Sequence, residues 1–101
     1  MEQSFEKELN ELALRFGVTD DERSKYANID QFLPVLEQIR RSGAVVVIKL
    51  DGQRIPGEDT GPYTVVISGG ALRDDFIRID DDSLENALLY SIRKYSEASN
   101  R

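Results

Sequence analysis

Apolar residues recur along this chain in two rhythms, and the change from one to the other divides it into elements. Phe5, Leu9, Leu12 and Phe16 follow one another at intervals of four, three and four, which places them on one helical stripe with Glu6, Glu8, Asn10 and Glu11 off it. Ser4 is a candidate cap and Gly17 a candidate left-handed exit, so the spacing predicts a helix over 5–16. Residues 18–26 alternate charge signs with little apolar period and read as a connection, in which Thr19 or Asp20 can start one helical turn. Phe32, Leu33, Leu36 and Ile39 form the next stripe, capped by Asn28 or Asp30. Pro34 lacks an N–H and belongs in the first turn, Arg40 and Arg41 suit the negative end of the dipole, and Gly43 supplies the exit. A second helix is predicted over 31–42.

The rhythm then shortens. Ala44-Val45-Val46-Val47-Ile48-Lys49-Leu50 is the most apolar and most β-branched run, which predicts a strand covered on both faces at the centre of a small sheet. Lys49 must reach water, so Val45 and Val47 share its more exposed face while Val46, Ile48 and Leu50 point inward. Asp51-Gly52 opens a stretch to Pro62 that holds two of the three prolines and reads as a long exposed hairpin loop. Tyr63–Ser68, closed by a tight or bulged Gly69-Gly70 turn, and Phe76–Asp80, with Ile77 and Ile79 inward, predict two further strands. Asp82 followed three residues later by Glu85 matches a capping box, with Ser83 as the alternative cap. Leu84, Leu88, Ile92 and Tyr95 then mark a helix over 83–97. The fold class is α+β: a single domain in the order α-α-β-β-β-α, a three-stranded antiparallel meander packed against helices.

Composition narrows what such a fold can do. At 101 residues, 40% hydrophobic and 32% charged, the chain has the size and content of one folded globular domain. Thirteen basic against nineteen acidic residues give a net charge of −6, and each half of the chain sums to −3. With no basic arm, the field repels phosphate backbones, so no nucleic acid is expected and a basic protein partner fits better. Cysteine and histidine are both absent, which removes a thiolate nucleophile and the usual soft or borderline metal ligands. The first residues lack an apolar leader core and no run approaches membrane-spanning length. A cytoplasmic chain without a membrane partner is the expectation.

Five aspartates, Asp74, Asp75, Asp80, Asp81 and Asp82, gather around the third strand. Such clusters hold Ca²⁺ or Mg²⁺ or act as acid and base, but the glycine and distal glutamate of a calcium loop are not in place. A helix cap and a polar turn account for them more simply, so no metal site, cofactor or catalytic residue is assigned. The loop from Asp51 carries Arg54, Glu58 and Asp59 without the ending of a phosphate-binding loop. Tyr90, with Leu89, leaves the main stripe of the last helix as a small apolar patch, unless the first two helices cover it. Lys7, Lys25, Lys49 and Lys94 sit in no motif with a serine.

The leading expectation is a non-catalytic acidic domain that engages a basic protein through Asp51, Arg54, Glu58, Asp59, Asp74, Asp75, Asp80 and Tyr90. Immunity-type inhibitors of toxins and nucleases work by such complementarity. One alternative is a homo-oligomeric structural or assembly subunit, a homodimer pairing through Leu89, Tyr90, Val45 and Val47. Another is a carboxylate-dependent metal-binding enzyme.

Overall fold

Each apolar run of the sequence becomes one element of the computed structural model, which describes residues 2–55, 57 and 60–100. The elements are α1 (Glu2–Arg15), α2 (Asp20–Lys25), α3 (Ile29–Arg41), β1 (Ala44–Leu50), β2 (Tyr63–Gly69), β3 (Phe76–Asp81) and α4 (Leu84–Ser99). The predicted order holds, with α2 added where Thr19 starts a turn: its side chain accepts from the Glu22 N–H at 3.2 Å. Gly17 ends α1 with a φ of 71°, and Val18 N–H closes back on the Ala13 carbonyl.

The strands pair antiparallel in the order β1-β2-β3. Register separates the two faces of the sheet. Val46, Ile67 and Ile77 form one cross-strand row and Ile48, Val65 and Ile79 the next, and both face the helices. α4 packs on β2 and β3, and α3 packs on β1. Val65, Ile67, Ala87 and Leu88 are almost wholly removed from water, with Leu36, Ile39 and Tyr95 beside them. Tyr95 ties the layers: its hydroxyl lies 2.6 Å from that of Ser42 and accepts from the Ala71 N–H at 3.1 Å.

Several expectations are corrected. β1 is an edge strand, not the centre, because in a three-strand meander only the middle strand has neighbours on both sides. Its inward set has the predicted parity, yet Ile48 and Leu50 are 39% and 66% exposed, because α3, the helix that packs on β1, leaves that end open. α1 begins before Ser4, and α3 begins at Ile29, which puts Pro34 in its second turn. The cap of α4 is Ser83, whose hydroxyl accepts from the Asn86 N–H at 3.2 Å. Asp82 is drawn away by the loop, where its carboxylate accepts from the Gly57 N–H. The glycine turn continues as one 3-10 turn over Gly70–Leu72.

The largest departure lies at the N-terminus. α1 makes at most marginal contact with the other elements, and Phe5, Leu9 and Phe16 are 69%, 54% and 83% exposed. The molecule is flat, 46 × 40 × 18 Å, with a radius of gyration of 15.8 Å against about 13 Å for a compact chain of this length.

Candidate interaction surface

The face of the sheet turned away from the helices is a three-by-three array fixed by register. Val45, Ser68 and Phe76 form its first row, Val47, Val66 and Arg78 its second, and Lys49, Thr64 and Asp80 its third. No element packs on this face among the described residues, and Val45, Val47 and Phe76 are more than half exposed. One end is apolar and the other is charged.

The charged end is built around Arg54. Its guanidinium donates to Asp80 at 2.8 Å and to Thr64, Thr60 and the Gly61 carbonyl at 3.2–3.3 Å. Thr64 in turn donates to Asp80 at 2.5 Å, and Arg78 binds Asp80 from the exposed side at 3.1 Å. The Thr64 hydroxyl, then Arg78 and Arg54, hold the Asp80 carboxyl far below the usual carboxylate range, against the opposing effect of burial. Asp51 accepts from the Gln53 N–H at 2.9 Å, which with Lys49 and Arg54 nearby lowers its pKa also. The loop predicted to be wholly exposed is thus pinned to the sheet through its arginine.

Of the residues expected to bind a partner, the fold brings Asp51, Arg54 and Asp80 together. Asp74 and Asp75 lie at the opposite end of β3, exposed, and Asp75 accepts from the Phe76 N–H at 2.8 Å. Asp81 accepts from the Ser83 N–H. Among the described residues no three carboxylates are arranged to hold a metal ion. Tyr90 is exposed on α4 beneath the Arg93 guanidinium, 5.7 Å from the ring centre, so the first two helices leave that side uncovered, contrary to the simpler expectation. Glu58 and Asp59 lie outside the described residues.

Sequence reasoning passed over Thr64, Arg78, Val66 and Phe76. The signal was period two: Phe76, Arg78 and Asp80 alternate with the inward Ile77 and Ile79. It also treated the stripe of α1 as ordinary amphipathic surface, whereas Phe5, Leu9, Leu12 and Phe16 have nothing over them in this chain.

α2 sits on the helix-covered side of the sheet, where the hydroxyls of Tyr26 and Tyr63 are 2.9 Å apart. That contact, and then burial, push the Tyr63 hydroxyl above its ordinary pKa. The cleft there, about 400 Å³, is walled by Glu22, Lys25, Ser83 and Glu85. It is polar, and across it Lys25 binds Glu22 at 3.1 Å. Among the described residues, no helix is long and apolar enough to cross a membrane. Comparison of the chain with models of protein families, with curated proteins and with solved structures gave no match.

Proposed function

We propose that the chain is a non-catalytic protein-binding domain whose working surface is the apolar stripe of α1 together with the open face of the sheet. The observation that carries this reading is the uncovered stripe. Burying a Leu or Phe side chain stabilises by about 1.5–3 kcal/mol, and a 14-residue helix is marginal in water without a packed face. Two phenylalanines and two leucines at helical spacing therefore call for a surface to lie on. Catalysis has less support, because a carboxylate tied down by three donors, as Asp80 is, makes a weak base.

The test is association. Leu9→Asp/Leu12→Asp changes exposed positions and leaves the far-UV spectrum of the sheet and α4 intact. Proteins that co-purify with the wild-type chain, or its own self-association, are expected to disappear in the variant. Associations that all survive the double substitution overturn the reading.

A second reading, an acidic module of the immunity type for a basic partner, is favoured by Asp74 and Asp75. Among the described residues neither enters an ion pair, and the chain carries −6 overall. Such a partner would be released by roughly 0.5 M salt, where screening acts within a few ångströms. Asp74→Asn/Asp75→Asn would weaken it, and binding indifferent to both removes this reading.

A further inference from the structure

We propose that the occupant of the open sheet face is α1 of a second copy of this chain, exchanged reciprocally so that each protomer's α1 lies across the other's sheet. This rests on the reading of α1 and the open face as the working surface. It adds the identity of the partner.

The two surfaces match in size. A 14-residue helix is about 21 Å long and 10 Å wide. The seven-residue β1 and β2 run about 23 Å, and with the six-residue β3 the sheet is about 10 Å across, centre to centre. The Arg54 loop covers the third row, where Thr64 is 3% exposed, so the middle of α1 covers the two open rows, Val45–Ser68–Phe76 and Val47–Val66–Arg78. The centre of the stripe is Leu9 with Leu12, and the centre of the face is Val47 with Val66. These meet whichever way the helix runs.

They also match in charge. Among its described side chains α1 carries Glu6, Glu8 and Glu11 against Lys7 and Arg15, and at 100° per residue Glu6 and Glu8 border the stripe on either side. The nine positions of the open face carry Lys49 and Arg78 against Asp80, one positive charge in excess on an acidic chain. An acidic helix fits that face better than the rest of the molecule does.

The area fits a stable dimer. A folded monomer of 11.4 kDa exposes about 5,800 Å². This chain exposes 7702 Å², an excess of roughly 1,900 Å² over that scaling. Burying half of that excess on each of two chains removes about 1,900 Å² in total, inside the range of specific interfaces.

Its own α1 is badly placed for the same role. It is tied to α2, where Arg23 donates to Asn10 at 3.2 Å, α2 is held on the helix-covered side at its C-terminal end by Tyr26 and Tyr63, and the four residues 16–19 span at most about 14 Å. Layers on either side of a sheet lie about 20 Å apart, twice the usual spacing of roughly 10 Å. The exchange between copies needs no such crossing.

Sedimentation equilibrium tests the arrangement. The wild-type chain is expected at twice 11.4 kDa, and Leu9→Asp or Val47→Lys alone is expected to weaken the dimer at least about tenfold. Both positions are exposed, so the protomer keeps its fold. An equimolar mixture of the two variants restores the dimer, because one contact is wild type and the other pairs Asp with Lys. In this cysteine-free chain, Leu9→Cys/Val47→Cys is expected to give a reducible crosslink between chains. A dimer that survives Val47→Lys means the α1 helices pair with each other, and overturns the exchange. A crosslink within one chain overturns it too. A wild-type monomer at about 100 μM overturns the inference as well. If a different protein then still co-purifies in an α1-dependent way, the proposed function stands without it, and if none does, both fall.

Discussion

At the level of single residues, the first turn of α4 separates two neighbouring side chains. Ser83 caps the helix and Asp82 does not, so Ser83→Ala should cost about 1 kcal/mol in urea unfolding, within the 0.5–2 kcal/mol typical of caps. Asp82→Ala gives up a bond to the loop backbone at Gly57, and should cost less than ~0.5 kcal/mol. The reverse ranking would return the cap to Asp82. Asp80 makes a prediction in pH. Its folded pKa lies below that of the unfolded chain, so its contribution is present in full above the ordinary carboxylate value, about 3.9, and is lost as pH falls from there through the folded value. Asp80→Asn should lower stability at pH 7 and flatten its decline below pH 4. Equal slopes for variant and wild type would show that the Thr64, Arg78 and Arg54 contacts do not hold the charge.

Elements differ in what they contribute. β2 is buried on the helix side and flanked by strands on both edges, so Ile67→Ala should cost about 2–5 kcal/mol, as core truncations do. β1 has one free edge and a bare face, and Val47→Lys should leave the isolated protomer within about 0.5 kcal/mol of wild type. The hairpin loop returns to the sheet at Gly61, whose φ is 106° and where an added Cβ would run into the backbone of Asp81. Gly61→Ala therefore strains the position twice and should lower stability by more than about 1 kcal/mol, read from the urea midpoint.

The whole molecule is a covered sheet face joined to an uncovered one, with a helix that meets α2 through Asn10 and Arg23 and covers neither face. If two chains exchange α1, folding and association are linked, and the thermal midpoint of the wild-type chain rises with protein concentration while that of Leu9→Asp does not. A midpoint independent of concentration in both would separate the helix from stability altogether. Calorimetry with Ca²⁺, Mg²⁺ and Mn²⁺ should show no heat of binding, since the aspartates are divided between a turn, a salt-bridged network and backbone contacts.

Local rules carried much of this protein. Periodicity set the helices predicted over 5–16, 31–42 and 83–97, to within a few residues at each end, and the three strands, because a stripe every three or four residues and an alternation every two are properties of the backbone itself. The short connection after Gly69 set the antiparallel pairing of β2 with β3, and the parity of β1 and β3 was readable from Lys49 and the inward Ile77 and Ile79. What pairing across the chain decided was which of these faces is filled. An apolar run looks the same whether it lies at the centre of a sheet or on its edge, and β1 lies on the edge because β2 takes both neighbours. An amphipathic stripe looks the same whether it meets its own core or another chain, and α1 is left uncovered because α3 and α4 already occupy the one face they can reach. Arg54, Thr64 and Asp80 are separated by up to 26 positions, and only the register of the sheet and the return of the loop bring them within hydrogen-bonding distance.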